Sequence, residues 1–486
     1  MSIAALTTLP NPPIAILGVP FDNLTTDETL ELIPRMIESR RPHHLVTADV
    51  DFLVQSQDDL ELRRILFESH LVLCDGAPLL WASKLLGNPL PGGVAGTDIA
   101  PLIVRIAAER GHRLFLLGAT PESTQRAIAS LRQQHPQLIV AGHYSPPFKQ
   151  LIEMTHDEVL RHIAAARPDI LLVALGALKQ EKWIAMHYRT LGVPVNIGVG
   201  STFDFLVAPA RKISAWRQRA WVRWFFRLWK SPRLPPLRML KDCWVFGLGL
   251  FVQSWRLRTR EHEIWKRNVS SRRHSEINWQ SIRLPESLDV MTAREDLLLV
   301  DQPFADGRHC LLEADGVEFI DSTGVGLLIG LQKRIRATGR QLVLLSPSEP
   351  MMQALDMMRL GNFFDSAPDV AAAQRLIELR AKERAAAVTP GDAAPGSPLL
   401  WHGEITAANA EAVWELTQIH LAKLGTRRSL TIDMAAVRFV DSSGAGIMVR
   451  ARKFAQQHGI QLKFINAQPA VVSVLKVMHL EEFLLR

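Results

Sequence analysis

The sequence predicts an α/β protein in which a doubly wound parallel-sheet domain precedes a basic amphipathic helical segment and two small α/β domains. Three observations predict this class. Short apolar runs alternate with helical patterns up to about residue 205, positive charge and tryptophan concentrate in the segment that follows, and the remaining residues contain an internal repeat. The expected units are a sheet domain over residues 1–210, a basic appendage over 211–275, small domains over 276–376 and 398–486, and a linker over 377–397.

Composition narrows the class of protein. Apolar residues make up 47% and charged residues 22% of the 486 residues, which excludes a wholly disordered, collagenous or coiled-coil chain. Cys74, Cys243 and Cys310 are too few and too widely spaced for a disulfide framework or a metal cluster, so we expect a reducing environment. The N-terminal residues do not resemble a secretory signal, and the longest apolar run, residues 243–251, is too short to span a bilayer. We therefore expect a cytoplasmic location.

The apolar runs of the first domain each predict a strand. They begin at residues 14, 44, 71, 113, 138, 169 and 193, and helical patterns separate them. This alternation predicts a Rossmann-like sheet of parallel strands, in which ligands bind at the carboxyl ends of the strands. Several runs end in glycine, threonine or aspartate just before a helical pattern. These expected site positions are Thr47 to Asp49, Asp75 with Gly76, Gly118 to Thr120, Gly176, and Gly198 to Ser201.

Positive charge is concentrated in the segment that follows. Between Arg211 and Arg273 there are 17 lysines and arginines but three acidic residues, together with seven of the twelve tryptophans. Tryptophan prefers the lipid headgroup layer, and basic side chains are attracted to anionic lipid. Residues 217–230 interleave the two types at near-helical spacing, which favours a helix lying on the inner leaflet. A helix packed on its own domain and a nucleic-acid surface are the alternatives; the apolar run after Lys241 favours lipid, so we expect no nucleic-acid partner.

The internal repeat has a period of 120 residues. Residues 313–326 align with residues 433–446, and the register continues without a gap to Phe363 and Phe483. Two copies of one small domain are therefore expected. Between them, residues 377–398 combine a helical end with alanine, proline and glycine, which is typical of a flexible linker.

The first domain resembles the glycosyltransferases of the WecG/TagA/CpsF group, which includes N-acetylmannosaminyltransferases of teichoic-acid and enterobacterial common antigen synthesis. The resemblance covers about residues 14–240 and depends on six motifs in family order. They are VTADVDF at 46–52, LVLCDGAPLLWASKLLG at 71–87, VAGTDIAPLI at 94–103, LFLLGATPE at 114–122, DILLVALGALKQEKWI at 169–184 and IGVGSTFDFL at 197–206.

Asp75 is the candidate catalytic residue. It follows an apolar strand and precedes Gly76, so its carboxylate can project into the crevice; on its own, an aspartate there could equally be a helix cap or a turn residue. Inverting displacement at an anomeric carbon needs a carboxylate to take the acceptor proton and donors that neutralise the departing diphosphate. The resemblance implies that Asp75 is the general base.

The resemblance also implies the substrates and their contacts. It implies a UDP-sugar donor, a lipid-linked saccharide acceptor and a reaction without a metal or other cofactor, and the sequence contains no DxD metal motif. Gln180 and Thr47 match family residues, Lys179 is a candidate phosphate partner, and the turn at 198–202 offers N–H groups, although a plain tight turn is the alternative. The expected donor-binding residues are Thr47, Asp49, Gly118, Lys179, Gln180, Gly198, Gly200 and Ser201, and the expected diphosphate-binding arginines of the appendage are Arg227, Arg233 and Arg238.

The sequence departs from the family pattern at several positions. Asp49 stands where asparagine is usual, and an ionised carboxylate would repel diphosphate and cannot donate to a substrate carbonyl. Leu178 replaces proline, Arg223 replaces glutamate, and residues 212–214 replace Arg-Ala-Pro. The identity of the donor sugar therefore stays open.

The repeated small domains resemble STAS domains, the fold of anti-sigma-factor antagonists. Each copy has an apolar strand, then Asp-Ser-Ser/Thr-Gly, then an apolar helix. The resemblance implies phosphorylation of the serine after the aspartate, here Ser322 and Ser442; ordinary helix caps are the alternative. A phosphate at a helix N-terminus would repel a partner docked there without unfolding the domain. A serine kinase, a phosphatase or an anti-sigma-like protein would be natural partners.

Three hypotheses for the function follow. The first is a membrane-associated inverting glycosyltransferase that transfers an N-acetylmannosamine-like or uronic sugar from UDP to a polyprenyl-diphosphate-linked saccharide in exopolysaccharide or cell-envelope polymer assembly. The second is a catalytically inactive adaptor that acts through its STAS domains, motivated by Asp49 and Leu178. The third, a dinucleotide-dependent oxidoreductase, is disfavoured because no GxGxxG motif opens the first βα unit.

Overall fold

A computed structural model describes residues 11–147, 151, 156–207, 245–254, 279–290, 292, 309–337, 340–361, 363–385, 388–390, 398–407, 409–422 and 429–485. Of the predicted basic appendage, only residues 245–254 are described, and they form a helix, α9. No helix among the described residues is long and apolar enough to cross a bilayer.

The first domain confirms the predicted alternation of strands and helices. Its strands are β1 (Ile14–Ile16), β2 (Val19–Phe21), β3 (His43–Ala48), β4 (Leu71–Cys74), β5 (Arg113–Gly118), β6 (Ile139–Tyr144), β7 (Ile170–Ala174) and β8 (Val195–Gly198). Its helices are α1 (Thr26–Ser39), α2 (Val50–Ser56), α3 (Leu60–Glu68), α4 (Ala77–Leu85), α5 (Gly96–Arg110), α6 (Pro121–Gln134), α7 (His156–Ala166) and α8 (Lys179–Leu191).

Six of these strands form one parallel sheet in the order β4-β3-β8-β7-β5-β6. Both faces of the sheet are covered, as in a doubly wound fold. Helices α1, α5 and α6 pack on one face, and α2, α3, α4, α7 and α8 pack on the other. Because both faces are buried, strands such as β7 are apolar at every position, which explains the continuous runs seen in the sequence.

The first apolar run does not join this sheet. β1 and β2 instead form an antiparallel hairpin, so the expectation that the run at residue 14 is a strand of the parallel sheet was wrong. The cause is local: Leu17 and Gly18 both have positive φ, 47° and 80°, and form the tight two-residue turn that joins antiparallel strands. A parallel neighbour would need a crossover of a dozen or more residues.

Local capping signals account for several helix starts. Thr25 accepts a hydrogen bond from the backbone N–H of Glu28, whose side chain accepts from the N–H of Thr25, so α1 begins with a capping box. Asp59 caps α3 through the N–H of Leu62.

Two STAS domains follow, and their elements repeat at the period of 120 residues found in the sequence. The first contains β9 (Trp279–Arg283), β10 (Ser287–Leu288), β11 (His309–Glu313), β12 (Phe319–Ile320), α10 (Ser322–Ala337), β13 (Leu342–Leu345), α11 (Glu349–Met357), β14 (Asp365–Ala367) and α12 (Val370–Ala385). The second contains β15 (Val388–Pro390), β16 (Leu399–Ile405), α13 (Ala410–Ala422), β17 (Ser429–Val440), α14 (Ser442–Gln457), β18 (Gln461–Ile465), α15 (Pro469–Val477) and α16 (Glu481–Leu485). Helices α10 and α14 begin at the two candidate serines.

Each STAS domain has a four-stranded sheet, in the orders β14-β13-β11-β9 and β15-β16-β17-β18. β15 pairs antiparallel with β16, whereas the other pairs in these two sheets are parallel. Two elements fall within the range of the predicted linker: α12 continues to Ala385, and β15 follows it.

Helix α3 of the first domain contacts both STAS domains. The Arg63 guanidinium donates to the carbonyl of Met358 at 2.9 Å, in the first STAS domain. Arg64 Nη2 lies 2.6 Å from Glu404 Oε2, in the second. Because β4 follows α3 in the chain, both STAS domains pack against the segment that leads into Asp75.

Candidate functional site

The predicted site residues after β3, β4, β5, β7 and β8 come together at one edge of the parallel sheet. Asp75 directly follows β4, and its backbone N–H donates to the carbonyl of Ala48 at 2.9 Å, which joins the ends of β4 and β3. The Asp75 residue is partly exposed at this edge rather than buried in the core. Burial, followed by the nearby Asp75 carboxylate, raises the pKa of the neighbouring Cys74 thiol. Cys74 is therefore a neutral thiol beside the Asp75 carboxyl group.

Thr47 lies beside the start of α5. A β-carbon added at Gly96 would come 3.0 Å from Thr47 Oγ1 and 3.2 Å from the carbonyl oxygen of Gly198. The first turn of α5 therefore lies close to the ends of β3 and β8. This close approach brings the VAGTDIAP motif to the same edge as Thr47 and Gly198.

Asp49 serves as a helix cap. One of its carboxylate oxygens accepts from the N–H of Phe52 at 3.1 Å, and its extended backbone precedes α2. This geometry matches the cap role that aspartate commonly has at a strand-to-helix junction. Asparagine, the residue usual in the family pattern, could make the same bond through its side-chain oxygen.

Gln180 is buried, and both ends of its amide bond protein groups. Its oxygen accepts from the N–H of Gly200 at 3.0 Å, and its nitrogen donates to Glu181 Oε1 at 3.1 Å. The other Glu181 oxygen lies 2.8 Å from His44 Nε2 on β3, and both side chains are at most 2% exposed. These contacts form a buried chain from His44 through Glu181 and Gln180 to the loop after β8.

That chain brings two predicted donor-binding residues into contact with each other. The Gln180 amide holds the loop after β8, and its predicted contact with the sugar nucleotide stays a prediction. The N–H of Gly200, expected to face a phosphate, donates to Gln180 instead. Ser201, one residue further, is exposed. A β-carbon at Gly198 would overlap the side chains of Gln180 and Glu181. Glycine is therefore required at this position, because these two side chains of α8 pack directly against the backbone at the end of β8.

The loop before α8 has a tight, strained turn. Leu178 has φ 63° and ψ −52°, and the N–H of Lys179 donates to the carbonyl of Ala177 at 2.7 Å, which closes a γ-turn. A leucine in this region costs roughly 1–3 kcal/mol, and proline cannot adopt it. Lys179 is partly buried in this turn, and burial lowers the pKa of its ammonium group. The turn places that cation at the edge that carries Asp75.

Gly118 ends β5 against the neighbouring strand. Its φ is 100°, and the N–H of the next residue, Ala119, donates to the carbonyl of Ala174 at 2.8 Å. The loop after β8 is anchored on α6, the helix that follows β5: Ser123 Oγ bonds Thr202 Oγ1 at 2.9 Å and Asp204 Oδ1 at 3.0 Å. The ends of β5, β7 and β8 are thereby held together.

The two candidate phosphorylation sites lie in contacts with other parts of the chain, Ser322 with the appendage helix α9 and Ser442 with the first domain. Ser322 Oγ accepts from the side-chain amide of Gln253 in α9 at 2.7 Å. Ser442 donates from its backbone N–H and its hydroxyl to the carboxylate of Glu61 in α3, at 2.6 and 2.7 Å. Both serines are at most 3% exposed. The sequence did not indicate these contacts.

Arg227, Arg233 and Arg238 lie outside the described residues, so their predicted role in diphosphate binding stays a prediction. Within the described parts of the chain, no three or more histidine, cysteine, aspartate or glutamate side chains are grouped as a metal site would need.

Sequence reasoning missed four residues that shape the site or its surroundings: His44, Glu61, Lys182 and Gln253. Each of them bonds a residue distant in the chain, as His44 does with Glu181 across 137 positions. No sequence pattern indicates which distant residue each of them bonds. The local signal that the sequence does offer is a polar or charged residue at an otherwise apolar position of β3 or α3.

Comparison with known proteins agrees with this architecture. The family model of the glycosyl transferase WecG/TagA/CpsF family matches residues 14–260, and the STAS domain model matches residues 272–373 and 399–485. Similar curated relatives include proteins of Staphylococcus aureus strains NCTC 8325 / PS 47 and COL, both named N-acetylglucosaminyldiphosphoundecaprenol N-acetyl-beta-D-mannosaminyltransferase. Each is 26% identical over 216 residues, which are 44% of this chain and 83% of the relative.

Among solved structures, one described as "Crystal Structure Analysis of Mglu" is 13% identical with a TM-score of 0.17. The match covers 38% of this chain and 62% of that structure's chain, and at this distance it supports no conclusion about function. The family match, in contrast, spans more than half of the chain. Its motifs meet at the sheet edge described above, and the protein is therefore a glycosyltransferase of the WecG/TagA/CpsF family that carries two STAS domains after its transferase domain.

Proposed function

We propose that the protein is an inverting, metal-independent glycosyltransferase that transfers an N-acetylmannosamine-like or uronic sugar from UDP to a polyprenyl-diphosphate-linked saccharide. The polymer would be an exopolysaccharide or a cell-envelope polymer. The observation that carries the proposal is the partly exposed Asp75 at the sheet edge where the family motifs meet. The names of the relatives, which act on a diphosphoundecaprenol-linked N-acetylglucosamine, support the acceptor class.

In the proposed reaction, an acceptor hydroxyl attacks the anomeric carbon on the face opposite the diphosphate. The bond from that carbon to the diphosphate oxygen breaks as the new glycosidic bond forms, so the configuration inverts and UDP departs. The hydroxyl proton passes to the Asp75 carboxylate, which acts as general base. The Lys179 ammonium and backbone N–H groups near Gly118 and Ser201 would stabilise the charge that develops on the diphosphate, without a metal ion.

The sharpest test replaces one carboxylate oxygen of Asp75 by an amide nitrogen. Asp75→Asn keeps the size of the side chain but cannot take a proton, so UDP release from UDP-sugars in the presence of a lipid-linked acceptor should fall by about 10²–10⁴-fold. Asp58→Asn is the matched control, because Asp58 is exposed and lies away from the sheet edge. Equal turnover by wild type and Asp75→Asn would eliminate Asp75 as the base.

The donor sugar depends on Asp49. Its carboxylate, close to a diphosphate, would disfavour the donor electrostatically, whereas Asp49→Asn would keep the cap on α2 and remove the charge. We expect Asp49→Asn to lower the KM for UDP-N-acetylmannosamine. If another UDP-sugar were turned over by wild type but not by Asp49→Asn, the Asp49 carboxylate would be selecting a sugar other than N-acetylmannosamine. A uronic sugar would then be the weaker candidate, because its own carboxylate would be repelled by Asp49.

We further propose that residues 211–275 attach the enzyme to the cytoplasmic face of the membrane, where Arg227, Arg233 and Arg238 would meet the acceptor diphosphate. The 17 basic residues between Arg211 and Arg273 support attraction to anionic lipid. Wild type should co-sediment with vesicles containing phosphatidylglycerol, and less so at high salt. A variant lacking residues 211–275 that still sedimented would remove this assignment.

For the STAS domains we propose regulation by a protein partner or by phosphorylation of Ser322 or Ser442. Ser322 is buried against α9 and Ser442 against α3, so a kinase would reach either serine only when that contact opens, and modification would report the docked or undocked state. A phosphoryl group at Ser442 would stand beside the Glu61 carboxylate and oppose re-docking. Treatment with a serine kinase from the source cells, followed by mass spectrometry, tests whether either residue is modified.

A catalytically inactive adaptor is the second candidate. Its specific support is the strained Leu178 turn, which a proline could not form, together with Asp49 at a position where the family pattern has asparagine. Calorimetry decides between the two: failure of every UDP-sugar to bind, together with retained binding of a STAS partner, would favour the adaptor.

A further inference from the structure

The second STAS domain contacts the transferase domain at a buried carboxylate. Ser442, the first residue of α14, donates its backbone N–H to Glu61 Oε1 at 2.6 Å and its hydroxyl to Glu61 Oε2 at 2.7 Å. Both residues are 3% exposed. A carboxylate that accepts from the first turn of a helix is stabilised both by the hydrogen bonds and by the helix dipole. Glu61 therefore completes the N-terminal end of a helix that belongs to another domain.

The same carboxylate also binds a lysine of the transferase domain. Lys182 Nζ lies 2.8 Å from Glu61 Oε2 and 2.7 Å from Asp59 Oδ2, with the lysine side chain 11% exposed. Burial lowers the pKa of Lys182, but Glu61 and Asp59 outweigh burial and raise it, so the ammonium stays charged. Two carboxylates share one ammonium here, and the helix end at Ser442 supplies the balancing partial positive charge.

Lys182 lies on the first turn of α8, which also carries Gln180 and Glu181. Through its side-chain amide, Gln180 holds the N–H of Gly200 in the loop after β8. A continuous set of short contacts thus runs from Ser442 through Glu61 and Lys182 to the turn that positions this loop. Helix α14 also packs directly against α8, and α15 packs against α3.

We propose that docking of the second STAS domain sets the position of the first turn of α8 and, through it, the loop after β8 at the candidate donor site. Glu61, Lys182 and Ser442 act as positioning residues. That the loop belongs to a donor-binding site rests on the proposed function. The structural coupling between the STAS domain and the loop does not depend on it.

The physical reason is the charge balance at Glu61. If Ser442 withdraws, the Asp59 and Glu61 carboxylates keep one ammonium between them, and water replaces the helix end. The buried contact between Lys182 and Glu61 then becomes a solvated ion pair, which holds two side chains far less firmly. Two further contacts of this interface, Arg64 with Glu404 at 2.6 Å and the Arg64 guanidinium 4.6 Å from the ring centre of Phe439, lie on α3. The direct packing of α14 on α8 is a second route by which docking acts on the same helix.

Ser442→Asp in the full chain is the direct perturbation. The new carboxylate faces Glu61 and repels it, so α14 should leave α3. Ser443→Asp is the matched control: it adds the same charge one residue along the same helix turn, where the side chain is partly exposed and the contact with Glu61 is not made. Ser442→Ala removes only the hydroxyl bond, and Glu61→Gln keeps the shape of the side chain while removing its charge, so these milder variants test the contact if Ser442→Asp folds poorly.

The primary readout is amide hydrogen exchange without any substrate, in peptides that cover residues 198–206 and 442–450. Ser442→Asp should speed exchange in both regions by about threefold to thirtyfold, the range of coupling energies between residues in contact. Ser443→Asp should leave both unchanged. Ser442→Ala and Glu61→Gln should give intermediate increases in the same two regions.

Activity provides a second readout. If a UDP-sugar is turned over, Ser442→Asp should raise the KM for that donor more than it lowers kcat, because the loop is displaced while Asp75 stays in place. Faster exchange at 442–450 with unchanged exchange at 198–206 would overturn the coupling, as would equal effects of Ser442→Asp and Ser443→Asp. Failure of the wild type to turn over any UDP-sugar would count against the proposed function alone, since the exchange experiment judges the coupling separately.

Discussion

The buried contact between Gln180 and Glu181 makes the variant Gln180→Glu unusually informative. The amide nitrogen of Gln180 lies 3.1 Å from Glu181 Oε1, so the substitution places a second carboxyl oxygen at that distance. If both carboxylates were charged, their repulsion would be about 5 kcal/mol at an effective dielectric constant of about 20. The new carboxyl group would therefore keep its proton, because about 5 kcal/mol corresponds to a pKa raised from about 4.3 to about 8.

The protonated group can replace the amide. Its O–H donates to Glu181, and its carbonyl oxygen accepts from the N–H of Gly200, as the glutamine oxygen does now at 3.0 Å. Because its pKa is raised on folding, the stability is retained at low pH and is lost as the pH rises from about 4 through about 8. The destabilisation relative to wild type should grow from about 2 kcal/mol at pH 6 to about 5 kcal/mol at pH 9.

Thermal unfolding across this pH range measures the effect. At about 2–4 °C per kcal/mol, the difference in Tm between wild type and Gln180→Glu should widen by about 6–12 °C from pH 6 to pH 9. Gln133→Glu is the control, because Gln133 is exposed on α6 and the same change there should have little effect at any pH. A Tm difference that does not change with pH would refute the buried contact and would indicate instead that the Gln180 amide faces the donor.

Two further predictions concern stability. Gly118→Ala should lower the unfolding free energy by more than about 2 kcal/mol, because φ is 100° and the added β-carbon would overlap the carbonyl of Ala174; Gly92→Ala, where nothing lies within 4 Å, is the matched control in denaturant titration. Burial raises the pKa of both Asp321 and Asp441 from the usual value of about 4 to about 7. The stability of the STAS domains should therefore fall as the pH rises from about 4 to about 7, by up to about 1.4 kcal/mol per pH unit for each residue, and level off at higher pH. Replacing both by asparagine should flatten that slope, and an unchanged slope would show that neither residue is protonated in the folded protein.

Much of the fold could be predicted from the sequence because the signals are local. Six of the seven apolar runs in the first domain are strands of one parallel sheet, since a strand buried on both faces consists mostly of apolar residues. The repeat of 120 residues predicted equivalent helices, and α10 and α14 begin at Ser322 and Ser442 as expected. The exception, the run at residue 14, became a hairpin because of the backbone conformation of Leu17 and Gly18, which an apolar pattern does not specify.

The sequence by itself determined which residues stand at the strand ends, because a motif and its distance from an apolar run are properties of the chain. Asp75, Thr47 and Gly198 could be predicted in this way. Only the tertiary structure decided where the side chains point and what they bind. Gln180 turned inward to Gly200, and Ser442 met Glu61 across 381 positions, because buried polar groups must find partners wherever packing brings them together. That requirement is satisfied in three dimensions, and no spacing along the chain records it.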